Sequence, residues 1–130
     1  MMKLQKTTCL HLKHGIEEGA EAVLVSHNIV NSIDSENPAS LSKKVNDVLK
    51  DELEFTGVII TDDLDMGAVS KEQDAVVKAI LAGNDLIIVT DYEASIEAVK
   101  KALEEGRISE EEINEKVLKI LAWKYYKEMM

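Results

Sequence analysis

Three short segments share one pattern: "AVLVSH" from Ala22, "GVIITD" from Gly57 and "DLIIVT" from Asp85. Each is a continuous apolar run, rich in β-branched residues, that ends on a polar side chain. Runs of this kind and length suit strands buried on both faces, as in parallel sheets. The stretches between them follow a helical period instead. Leu4, Cys9, Leu12 and Ile16 mark one helical face, stopped near Gly19. Ser40 or Ser42 can cap a helix with Val45, Val48, Leu49 and Leu53 on its apolar side. A helix around Gln73–Leu81 ends at Gly83, and Ala94–Leu103 is stopped by Gly106. Ser109-Glu110-Glu111-Glu112 has the form of a capping box opening a last helix that reaches about Tyr126.

Strands separated by helices define an α/β chain of parallel β-α units, with a sheet covered on both sides or closed into a barrel. The 130 residues suffice for one domain, expected over 1–130, and no linker or change of composition divides them. Laid over one another without gaps, the three segments put His27, Asp62 and Thr90 on one rung with one orientation. All three are at the carboxyl ends of their strands, where parallel α/β folds place chemistry.

Composition removes several classes of function. The net charge of −10 disfavours nucleic acid and anionic membranes as partners. No apolar run approaches the eighteen or so residues of a membrane span. The amino-terminal residues lack a secretory apolar stretch and the single cysteine, Cys9, has no internal partner, so a cytoplasmic setting is expected. Neither a nucleotide-binding glycine motif nor a metal-spaced Cys/His set is present.

The segment "GVIITDDLDM" delivers three carboxylates, Asp62, Asp63 and Asp65, at the end of the second strand. Alternation sends Asp62 and Asp63 to opposite sides, so they do not face each other as an acid/base pair. Asp63 and Asp65 also suit the first turn of a helix, where the macrodipole favours carboxylates. A magnesium-dependent phosphoryl-transfer site built from the three acids is an alternative, as is a non-catalytic binding or assembly module.

Four stretches in order, "EGAEAVLVSHNIV", "ASLSKKVNDVLKDELEFTGVIITDDLDMGAV", "AVVKAILAGNDLIIV" and "ISEEEINEKVLKILAWK", resemble family 3 glycoside hydrolases, in particular the bacterial β-N-acetylhexosaminidase branch. The resemblance runs from about Leu12 to Lys124 and implies a three-stranded slice of a (β/α)8 TIM barrel. It implies that Asp62 is the nucleophile of a retaining glycosidase acting on terminal N-acetylglucosaminides, with His27 and Met66 bordering the sugar. It implies no cofactor and no metal, since glycoside cleavage by carboxylates needs neither. The family's acid/base loop, K-H-F-P-G-H-G followed by D-x-H, has no counterpart; Lys13-His14-Gly15 echoes it only superficially, ahead of the wrong strand. Little or no activity is therefore expected of these residues alone. A barrel slice leaves strand edges and an apolar inner face open, so a homodimer or a complementary amino-terminal barrel portion is expected as partner.

Overall fold

The computed structural model describes residues 3–67, 69–72 and 74–129, with side chains from residue 9 onward. Helix α1 spans Lys3–Glu17, strand β1 Ala22–Val25, helix α2 Lys43–Asp47, strand β2 Val58–Thr61, helix α3 Ala75–Ala82, helix α4 Tyr92–Glu104 and helix α5 Glu110–Tyr126. The side chain of Leu4 and the expected helix start at Gln73 lie outside the described residues.

The boundaries have local causes. Ser42 accepts the Val45 N–H as the cap of α2, and Asp91 accepts the Ala94 N–H as the cap of α4. Ser109 and Glu112 exchange both bonds of a capping box at α5. Gly83 closes α3 at φ +114°, a conformation that a β-carbon disfavours. A single π-helical turn, Val48–Glu52, interrupts the expected second helix, and a 3-10 turn, Ala39–Leu41, precedes it.

β1 and β2 pair in parallel, Ala22 with Val58 and Val25 with Thr61. The chain is thus mixed α/β around a parallel pair. The third apolar segment does run beside β2, but as one isolated parallel bridge, Ile60 to Leu86, and not as the expected third strand. The cause lies in the ladder itself. Leu86 N–H donates to the Ile59 carbonyl and Thr61 N–H to the Leu86 carbonyl, as a regular parallel pair requires. One step further, Ile88 N–H goes to the Thr61 hydroxyl and not to a backbone carbonyl. Asp63 N–H, next in line, turns onto the Asp62 carboxylate. The Ile88 carbonyl is left to the Leu64 N–H. Regular pairing stops where the acidic segment starts.

The two faces of this sheet differ toward the carboxyl ends of the strands, although Val58, at the start of the more open face, is 1% exposed. Val25 and Ile59 pack with Ala39, Leu49 and Phe55, while Ile87 and Val89 pack on the cluster of Leu41, Leu64, Val69 and Ala79. Ile59 is 0% exposed. On the opposite face Leu24 is 59% exposed and Ile88 43%, with Ile60 and Leu86 partly open between them. Val58 N–H bonds to the Glu21 carbonyl and Asp62 N–H to the Val25 carbonyl, so the backbone of Ala22 and Leu24 turns toward the other edge. No described strand pairs there. An apolar groove of about 660 Å³ runs along that edge, bordered by Leu12, Val23, Leu24 and Val30.

Candidate active site

Asp62 follows the last residue of β2. Its backbone still pairs with β1, through N–H donation to the Val25 carbonyl at 3.0 Å. Strand alternation puts its side chain on the open face with Ile60, and it is half-buried. Oδ1 accepts the Asp63 N–H at 2.8 Å, and among the described residues nothing bonds Oδ2. The carboxylate therefore has one fixed oxygen and one available oxygen, at the carboxyl end of a parallel strand.

The neighbouring acids have other duties. Asp63 Oδ1 accepts the Asp65 N–H and Oδ2 accepts the Thr90 hydroxyl. Asp65 Oδ2 accepts the Thr90 and Asp91 N–H groups. The Thr90 N–H is the main reason that the Asp65 carboxyl is lowered from its ordinary value; desolvation opposes it, and the Asp91 N–H adds to it. The pair pins the turn after β2 to the turn after the third apolar segment. Among the described residues no three His, Cys, Asp or Glu side chains converge in the manner of a metal site.

His27 stands elsewhere than the gapless overlay suggests. The observed pairing is displaced by one residue, so continuing it sets Ser26 level with Asp62 and His27 level with Asp63. A displacement of one changes the face. His27 lies on the helix-covered side, 8% exposed, with Nδ1 2.6 Å from the Ser40 Oγ and Nε2 2.7 Å from the Asp63 carbonyl. Both ring nitrogens have protein partners. Thr90 is likewise displaced, by two residues, since Leu86 is opposite Ile60. Met66 has an exposed side chain, and its N–H donates to the Asp63 carbonyl at 3.1 Å, closing the turn. Asp62 and Met66 are thus brought to one turn, and His27 reaches that turn from behind.

Three buried polar residues were given no part in the site by the reading of the sequence. Ser40, fully buried, meets the His27 ring, and its own N–H donates to the Ser26 carbonyl. Asn84, also fully buried, donates to the Ser40 and Ala79 carbonyls at 2.7 Å each. Asp34, 3% exposed, accepts from the Ser42 hydroxyl, the Asn37 side chain and the Glu36 and Asn37 N–H groups. These bonds, the Ser42 hydroxyl foremost, hold its carboxyl down at about 2. Ser40 had a sequence signal only as an alternative helix cap to Ser42, the residue that takes that role; Asn84 was marked only by following a helix-ending glycine, and Asp34 sits in a stretch that reads as ordinary loop.

The sequence model of the glycosyl hydrolase family 3 N-terminal domain matches residues 1–123. The chain belongs to this family. A family 3 β-N-acetylglucosaminidase from Paenibacillus sp. superposes with a TM-score of 0.80 at 36% identity, covering 88% of this chain and 23% of that one. A β-N-acetylhexosaminidase from Beutenbergia cavernae gives a TM-score of 0.80 at 26% identity, covering 88% and 36%. A beta-hexosaminidase from Pseudomonas aeruginosa is 32% identical over 93 residues, 68% of this chain and 28% of its own length. An uncharacterized secreted glycosyl hydrolase from Arthroderma benhamiae is 31% identical over 116 residues, 82% of this chain and 33% of its own. The family 3 chain described here therefore spans about a third or less of these two relatives.

Proposed function

We propose that this chain is the nucleophile-bearing part of a retaining family 3 glycosidase acting on terminal N-acetylglucosaminides, and that Asp62 is its nucleophile. One observation carries the reading. The Asp62 carboxylate is on the open face at the end of β2, with Oδ1 engaged by the Asp63 N–H and Oδ2 free of described partners. In the reaction, Oδ2 bonds to the anomeric carbon as the glycosidic C–O bond breaks, and the departing oxygen takes a proton from an acid. Water then attacks the same carbon, gives its proton to the conjugate base, and the carboxylate leaves. Met66, on the same turn, borders the sugar.

The open face belongs to a slice of a (β/α)8 barrel, and its natural cover is the rest of such a barrel. The unpaired edge of β1, the apolar groove beside it and the exposed Leu24 and Ile88 support this. So does the share of the relatives' length that the chain spans. The added wall brings the proton donor, worth roughly 10²–10⁴ in rate. Mixing the chain with the part of the Pseudomonas aeruginosa relative that it does not match is the test. Nitrophenyl N-acetylglucosaminide is then hydrolysed, and Asp62→Asn abolishes the hydrolysis. Equal activity with and without Asp62 defeats the proposal. Self-association, visible as a mass that grows with concentration in sedimentation, would instead make a second copy the cover.

A further inference from the structure

We propose that His27 is a positioning residue for Asp62, acting through the Asp63 backbone, with Ser40 and Asn84 fixing it from behind. The inference rests on Asp62 being the nucleophile, but its geometry is independent of turnover.

The Asp63 carbonyl is a hub. It accepts from His27 Nε2 at 2.7 Å and from the Met66 N–H at 3.1 Å. A carbonyl oxygen can only accept, so Nε2 carries a proton, and in the neutral ring Nδ1 accepts the Ser40 hydroxyl. The ring is held through both nitrogens, and the backbone on both sides of it is bonded as well. Ser26 and Asn28 carbonyls accept the Ser40 and Ala39 N–H groups. Ser40 in turn is held by Asn84.

With its carbonyl held from two directions, Asp63 has a fixed backbone, and its N–H points at Asp62 Oδ1 and not at the Ile88 carbonyl that a regular ladder would offer it. Two arrangements compete for that N–H: continued pairing with the third segment, or the bond to Asp62. His27 selects the second. It thereby selects the rotamer that leaves Oδ2 available, and keeps Met66 at the end of the same turn. A side chain that touches no substrate thus controls the aim of one that does.

The test uses the full chain and the variants His27→Leu and His27→Gln, read by nuclear magnetic resonance. Glutamine keeps an N–H of similar reach; leucine removes it. The leucine variant is expected to average the Asp62 χ1 rotamers and to speed Asp63 amide exchange about five- to tenfold, the weight of one hydrogen bond. The glutamine variant is expected to restore a single rotamer and slow exchange. If leucine does not fold, Ser40→Ala replaces it, with the same readouts moving in the same direction. An unchanged Asp62 rotamer and Asp63 exchange in a folded leucine or Ser40→Ala variant overturns the proposal. So does a glutamine variant as loose as leucine. Failure of the nucleophile reading is seen separately: the assembled complex carrying Asp62→Asn would then turn over like wild type, while the resonance data still decide what His27 does.

Discussion

At the scale of residues, buried polar groups define this molecule more than its acidic surface does. Asp34 shows it plainly. Its carboxyl is held at about 2 against an ordinary 3.8, so the folded state binds its proton more weakly than the unfolded one. The resulting stability is complete above about pH 4 and is lost as pH falls toward 2. Urea midpoints measured across that interval are expected to fall, and Asp34→Asn is expected to remove this part of the slope while lowering stability at neutral pH. At Asp62, among the described residues, only one carboxylate oxygen is bonded. Asp62→Asn is expected to change the unfolding free energy by no more than about 0.5 kcal/mol. In the proposed complex with a barrel portion it is expected to cost at least roughly a thousandfold in turnover. How far these residues were legible in sequence varies for physical reasons. Asp62 follows a long apolar run, so its place at a strand end could be read directly. His27 could not be placed on the correct face. Flanking residues align equally well in two registers, and only the backbone bonds of Val25 and Asp62 decide between them.

At the scale of elements, which strand face is core can be tested by truncation. Ile59→Ala is expected to cost about 2–5 kcal/mol, since Ile59 is 0% exposed and packs with Val25, Ala39, Leu49 and Phe55. Leu24→Ala, one strand away on the open face, is expected to cost less than about 0.5 kcal/mol in the same denaturation experiment. Similar losses at both sites would mean that the open face is covered. The helices were the most legible part of the chain. Caps rely on residues adjacent in sequence: Ser109 and Gly83 act where their spacing indicates, the first through its side chain and the second through its positive φ, and of Ser40 and Ser42 it is Ser42 that caps. The third strand was the least legible, because what interrupts it is a competition for two N–H groups. The Thr61 hydroxyl and the Asp62 carboxylate win them from the ladder. Hydrophobic pattern carries no record of that contest.

At the scale of the whole molecule, a parallel pair with a free edge, an apolar groove and an exposed apolar face is a structure prepared to be continued. α5 adds to this: it has no fully buried residue, and Leu118, Leu121 and Tyr125 form an exposed stripe at helical spacing. Assembly with a barrel portion is expected to protect the amides of Ala22 and Leu24 from hydrogen exchange, since their backbone groups face the unpaired edge. The central claim is that the Asp62 carboxylate bonds to the anomeric carbon of an N-acetylglucosaminide. It is tested most directly by exposing the assembled complex to a ring-fluorinated N-acetylglucosaminyl fluoride, whose fluoride departs without a proton donor, and mapping the product by peptide mass. The account predicts one added sugar, as an ester on the peptide containing Asp62, absent from Asp62→Asn. A sugar attached to any other carboxylate, or turnover with inversion and no adduct, would contradict it.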